Sequence, residues 1–375
     1  MTEKSRPDSL RSRLEYEPVE LKFGTSGRRG EVSHLTQLEV YINALAELEY
    51  LQQIPPAIGG IVRGEPFYFA YDLRPSSSRY VESQGGRGEV AQAAVRAIQD
   101  AGMQPVNLGQ IPTPAMTCFA LSRAKGSIMI TGSHIPFSRN GYKVNTSRGE
   151  LLKEDETPIN ARVAQMRRSI YDRPYAESLF NAQGLLKAGH RELPPENTEA
   201  RDAYIIRYTG FFNGRSLEGT RLLCYQHSAV GRDILVEILQ RLGAEVVSAG
   251  RSDAFVPIDT ENIEDGQVAS IQAMADQASG TGRFCAVVST DGDSDRPLVL
   301  GVDPETGAVR FLGGDLLGMI AAEFLRADAV VVPISCNDAI DRGKLRGVVE
   351  PKTRIGSPYV IEGMEKARAK GAAEA

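Results

Sequence analysis

A chain of 375 residues is too long for one ordinary core and is expected to hold two or three domains. Its 42% hydrophobic and 24% charged residues describe a globular protein, and a formal net charge of −5 lacks the basic excess of a nucleic-acid binder. No run approaches the ~20 apolar residues that a bilayer-crossing helix needs, so no membrane partner is expected. The charged N-terminal stretch lacks a signal-type apolar segment. Cys118, Cys224, Cys285 and Cys336 are scattered without CxxC spacing. Neither a disulfide framework nor a zinc site is indicated, and a reducing cytoplasm fits best. Cys224 and Cys285 fall in apolar runs and read as buried free thiols. Oligomeric state is not legible.

In chain order, residues 1–20 read as a polar leader. A glycine-rich element, Lys22-Phe23-Gly24-Thr25-Ser26-Gly27-Arg28-Arg29-Gly30, follows; its glycines and arginines suit an anion nest, or else a simple turn. Residues 66–71 predict a strand ending at Asp72-Leu73-Arg74-Pro75-Ser76-Ser77-Ser78, and 89–101 carry a helical period that Gly102 stops. Residues 126–130 predict the next strand, with Ser133 just past its end, where α/β sheets gather ligands. Asn140-Gly141-Tyr142-Lys143-Val144 predicts a turn and then a strand carrying Lys143. Residues 155–199 are polar and proline-bearing, a terminal helix plus linker.

A second α/β unit is read from a strand at 221–225, a helix at 231–242, a strand at 244–248, and strands at 284–289 and 298–302. A third begins near Gly313, with a helix at 315–326, a strand at 329–334 and a helix at 359–368. Two recognisable strands rarely make a sheet of their own, so this unit reads as unfinished. The expected division is 1–20 leader, 21–198 first domain, 199–305 second domain and 306–375 a partial third.

Two motifs carry chemistry. Thr131-Gly132-Ser133-His134-Ile135-Pro136 offers a serine on a small-residue turn; it does not match the Gly-x-Ser-x-Gly elbow of serine hydrolases. Asp291-Gly292-Asp293-Ser294-Asp295-Arg296 offers three carboxylates at alternating positions, which in an extended chain point the same way. Three such charges call for a cation, and hard oxygens suit Mg2+. A calcium EF-hand is excluded, because its sixth and twelfth positions hold Arg296 and Val302. Walker and Rossmann glycine patterns are absent from the sequence. A phosphate-carrying serine plus a magnesium cage indicates phosphoryl transfer. The plainer alternatives are a polar turn for the aspartates, a structural histidine and a solvated lysine.

Taken together and in order, these elements resemble the α-D-phosphohexomutase family: FGTSGxRG at 23–30, DxRxSS at 72–77, a TASHNP-type loop at 131–136, NGxK at 140–143 and DGDGDR at 291–296. Lys352-Thr353-Arg354-Ile355-Gly356-Ser357 resembles the opening of the family's sugar-recognition region. The resemblance implies consecutive mixed-sheet α/β domains of the phosphohexomutase type, the third incomplete and the fourth absent. It implies that Ser133 carries phosphate and, with Asp291, Asp293 and Asp295, ligates one Mg2+. Arg29 and His134 would contact the phosphoserine, and Lys143 would act as general acid/base. Thr25, Ser26, Arg296, Lys352 and Gly356 would bind substrate.

The implied activity is phosphohexomutase, foremost phosphomannomutase acting on hexose phosphate, with a hexose 1,6-bisphosphate as intermediate and activator. Phosphoglucomutase, phosphoglucosamine mutase, a Mg-dependent phosphatase and a non-catalytic phosphosugar-binding remnant stay open. Gly132, Ile135 and Ser294 stand where the family has alanine, asparagine and glycine, and Ile135 is expected to loosen its loop. Motifs expected of a later sugar loop and phosphate clamp are not found, so a C-terminally truncated chain with impaired turnover is expected.

Overall fold

The computed structural model describes residues 8–212, 216–280 and 282–373. They fall into two compact units, 1–204 and 205–375. Among the described residues no helix is long and apolar enough to cross a membrane.

The first unit opens with α1 (Leu10–Arg13), capped by the Ser9 side chain. Leu10 is fully buried and its amide donates to Arg173 O at 2.8 Å, so this part of the expected leader packs on the unit. The sheet has the order β1-β2-β8-β7-β3-β6. Its members are β1 (Lys22–Phe23), β2 (Arg28–Glu31), β3 (Pro66–Tyr71), β6 (Gln104–Asn107), β7 (Ser127–Ile130) and β8 (Arg139–Asn145). A two-stranded ribbon of β4 (Tyr80–Val81) and β5 (Arg87–Gly88) lies apart from it. β3 pairs in parallel with both β6 and β7, and its apolar run is buried almost throughout, as a strand covered on both faces requires.

The helices are α2 (Gln37–Leu51), α3 (Pro75–Ser78), α4 (Val90–Asp100), α5 (Thr113–Leu121) and α6 (Glu156–Tyr171). Thr36 caps α2 by accepting from Glu39 N. α4 ends where the sequence predicts, with Gly102 at φ 74°. The stretch after α6, expected as linker, is coil that contributes to the core: Phe180 is buried with its ring 5.3 Å from that of Tyr41.

α7 (Glu199–Phe211) leads to a second sheet of order β10-β9-β11-β12-β13. β9 (Arg221–His227), α8 (Arg232–Arg241), β10 (Glu245–Arg251), α9 (Asp265–Ser279) and β11 (Ala286–Thr290) alternate, with the three strands parallel. β12 (Pro297–Val302) and β13 (Val309–Leu312) complete the sheet antiparallel. β13 lies beyond residue 305, where the sequence places a boundary. α10 (Gly314–Leu325) and α11 (Ser357–Ala369) match the predicted helices closely.

Three expectations are corrected. Residues 329–334 form no strand; they make only isolated parallel bridges, Val330↔Val349 and Pro333↔Thr353, and Pro333 has no N–H to extend a ladder. Asn140 and Gly141 lie inside β8 rather than in a turn, with Gly141 opposite Arg29. A Cβ at Gly141 would strike Arg28 O, so glycine here permits close strand pairing. Cys285 is exposed, not buried.

Candidate active site

Ser133 sits three residues beyond the carboxyl end of β7, buried, with φ 53°. A non-glycine residue in the left-handed region must be held by its surroundings. The holding groups come from the Asp72–Ser77 segment after β3. The Asp72 carboxylate accepts from Thr131 Oγ1 and Ser77 Oγ, both at 2.7 Å, and from Arg74 N at 3.0 Å. Thr131 Oγ1 in turn accepts from Ser133 N at 2.7 Å. Burial raises the Asp72 pKa, opposed first by the Arg74 charge and then by the Ser77 and Thr131 hydroxyls.

Arg74, itself buried, donates to Ser133 O at 2.8 Å, to Pro136 O and Arg139 O at 2.9 Å, and to Ile135 O. One planar guanidinium therefore gathers four carbonyls of the serine loop. The anchor is to main chain, so it does not depend on the side chain at 135. Gly132 has its own reason: a Cβ there would lie 2.5 Å from Arg74 Nε. Asn140 Nδ2 closes the network on Ser76 Oγ at 2.8 Å and Ser77 Oγ at 3.0 Å. Ser133 Oγ and His134 Nδ1 are 3.4 Å apart. The sequence reading gave Asp72, Arg74 and Thr131 no role. An acid and an arginine two apart, directly after an apolar strand, were the available signal.

The glycine-rich element is a tight β1–β2 hairpin, closed by Gly24 N donating to Gly27 O at 2.8 Å. Gly27 has φ 68°, and a Cβ on it would collide with Tyr142 O and come within 3.0 Å of Lys143 Cα. Gly27, at the end of the Thr25-Ser26 turn, thus lies against the β8 backbone at Lys143, whose register partner on β7 is Met129. Lys143 is 9% exposed. The motif's two arginines divide. Arg28 is buried against Glu47 at 2.5 Å, also donating to Leu21 O and Asn160 Oδ1, whereas Arg29 is half-buried and opposite Gly141. These first-unit predictions, Thr25, Ser26, Arg29, Ser133, His134 and Lys143, fall on adjoining strands and loops of one sheet.

In the second unit, Asp291, Asp293 and Asp295 each offer an oxygen within 4.8 Å of the others. They converge through a turn rather than by alternation along an extended strand. Ser294 N donates to Asp291 O at 3.1 Å, Asp291 N to Arg296 O at 3.0 Å, and Ser294 has φ 58°. Asp291 and Asp293 are fully buried, and Asp291 Oδ1 accepts from the amides of Asp295 and Arg296. Arg296 Nε approaches Asp291 at 3.4 Å and Asp295 at 3.7 Å, one positive charge against three negative. The excess negative charge and the all-oxygen donor set fit a hard divalent cation such as Mg2+. Lys352 bridges Asp341 at 2.8 Å and Asp338 at 3.2 Å, and Gly356, at φ 129°, precedes α11.

Each unit is an α/β fold with a distinctive loop just past a strand end, a buried serine in the first and an acidic cluster suited to a cation in the second. Comparison with known proteins gives the family. The family described as phosphoglucomutase/phosphomannomutase, alpha/beta/alpha domain I, matches residues 20–168. A Sinorhizobium fredii phosphomannomutase is 38% identical over 93% of this chain and 66% of its own length. A Salmonella muenchen phosphomannomutase is 37% identical over 92% of this chain and 63% of its own. A Rhodospirillum rubrum phosphoglucosamine mutase is 31% identical over 70% of this chain and 55% of its own.

In fold, the chain is similar to a Burkholderia thailandensis protein of the phosphoglucomutase/phosphomannomutase family, with TM-score 0.64, 18% identity, and 93% and 69% of the two chains covered. A crystal structure from Thermus thermophilus gives TM-score 0.69 at 20% identity, over 94% and 73%. The chain belongs to the α-D-phosphohexomutase family. It spans 66% and 63% of the length of the two phosphomannomutases it matches.

Proposed function

We propose that this chain works as a phosphohexomutase interconverting mannose 1-phosphate and mannose 6-phosphate through a phosphorylated Ser133. The observation that carries the reading is the convergence of three aspartate carboxylates within 4.8 Å at the end of a parallel strand. Mannose is favoured over glucosamine because the relatives at 38% and 37% identity bear the phosphomannomutase name.

In the forward half-reaction the phosphorus–oxygen bond to Ser133 breaks as a new one forms to the free sugar hydroxyl. Lys143 accepts that hydroxyl's proton. The resulting bisphosphate turns end for end, its other phosphate returns to Ser133, and Lys143 gives the proton back. His134 and Arg29 hold the phosphoserine oxygens; Thr25 and Ser26 in the first unit, and Arg296, Lys352 and Gly356 in the second, are the proposed substrate-binding residues. Asp291, Asp293 and Asp295 would hold Mg2+, which supplies charge neutralisation to phosphoryl transfer. A hexose 1,6-bisphosphate would load an unphosphorylated Ser133.

Incubation with mannose 1,6-bisphosphate and Mg2+, read by intact mass and peptide mapping, is expected to place one phosphate on Ser133. A coupled assay should then show mannose 6-phosphate formed from mannose 1-phosphate. Steady release of inorganic phosphate without a labelled Ser133 would instead mark a phosphatase. Binding with neither label nor turnover would mark a non-catalytic protein.

A further inference from the structure

The last residue of β9 and its connection to α8, residues 227–231, grip the aspartate loop at every second residue. His227 Nε2 lies 2.8 Å from Thr290 O, in donor position toward that carbonyl. Val230 N donates to Gly292 O at 3.0 Å. Gly231 N donates to Ser294 Oγ at 2.9 Å. The gripped residues are 290, 292 and 294; the aspartates that converge are 291, 293 and 295. Two of the three anchors on the loop are main-chain carbonyls. The third is a side chain, and it belongs to the residue that departs from the family motif.

Ser294 carries a conformational liability, since its φ of 58° is one that glycine adopts without strain. Its hydroxyl offsets that liability by joining two segments. It accepts from Gly231 N and also from Thr290 Oγ1 at 2.8 Å, and it is buried. We propose that Ser294 is a positioning residue for the cation: its hydroxyl fixes the loop against the 227–231 turn so that the three carboxylates are held together before the ion arrives. The proposal rests on the cation reading given above. Ser294 itself is not a ligand. It acts by lowering the reorganisation needed on binding, as preorganised sites do.

The test is isothermal titration of Mg2+ into the full chain, with urea unfolding measured on the same samples, for wild type, Ser294→Ala and Ser294→Gly. Alanine keeps the strained φ and removes the hydroxyl; glycine relaxes φ and also removes it. Both variants are expected to bind Mg2+ about fivefold more weakly, since both lose the hydrogen bonds that the hydroxyl accepts from Gly231 N and Thr290 Oγ1. Ser294→Gly should be more stable than Ser294→Ala without regaining affinity. Affinity that follows stability, with Ser294→Gly returning to the wild-type value, would overturn the positioning role. So would unchanged affinity in both, leaving the cation site itself standing. Wild-type protein that fails to saturate with Mg2+ would sink the cation reading and this inference with it.

Discussion

The serine loop and the aspartate loop solve the same backbone problem in opposite ways. Each leaves the carboxyl end of a parallel strand, and each places a serine in the left-handed region, Ser133 at φ 53° and Ser294 at φ 58°. At Ser133 the restraint comes from outside the side chain: Thr131 takes the amide, and Arg74 takes the carbonyl and three neighbours. At Ser294 the hydroxyl is itself the restraint, engaged by Gly231 N and Thr290. Ser294 is held through its side chain, whereas Ser133 is held through its main chain. The contrast separates two serines that residue type and φ do not.

The sharpest way to break this contrast is to exchange the roles. Ser133→Ala should abolish enzyme phosphorylation and lower turnover by about 10³-fold or more, as loss of a covalent nucleophile does. Ser294→Ala should still take up phosphate at Ser133, by intact mass. Next in size is the external support. Arg74→Ala leaves Asp72 buried without its charge partner and should cost about 3–5 kcal/mol in urea unfolding of the first unit. Arg74→Lys should rescue little of that, since an ammonium cannot reach four carbonyls at once. Stability within about 1 kcal/mol of wild type would refute the Arg74 account.

The third prediction concerns the other loop's turn. Burial pushes His227 down to about 4, with the Thr290 carbonyl opposing and Arg232 assisting. The unfolded chain therefore binds the proton first as pH falls. Stability is full above pH 6.5 and declines toward pH 4, by about 3 kcal/mol over that window. Urea midpoints across pH 4–7 check it, and His227→Gln should flatten the slope. Smallest is Gly132→Ala, where the new methyl displaces the Arg74 fork, at about 1–3 kcal/mol. An unchanged urea midpoint would show that the fork can shift freely.

What the sequence disclosed depended on how local the cause was. The strand at 66–71 is found where predicted because a continuous apolar run is its own signal. The serine and aspartate loops were legible as motifs, yet their supports were not. Thr131 meets Asp72 across 59 residues, and nothing in either segment alone announces the bond. The aspartates converge, but by a turn containing a left-handed serine, which alternation along a strand did not anticipate. Residues 329–334 look like a strand by composition, but only isolated bridges form there, one of them at Pro333. Lys352, read as a substrate contact, sits between Asp338 and Asp341, pairings that composition does not reveal.

Cys285 stands exposed immediately before β11, the strand that runs into the aspartate loop. The buried Cys224 thiol is pushed up to about 12, and burial also raises that of Cys336. Alkylating reagents therefore meet an accessible sulfur at Cys285 ahead of two shielded ones. With the partly exposed Cys118 replaced, a maleimide fluorophore attached at Cys285 would give an optical reporter one strand away from the acidic cluster.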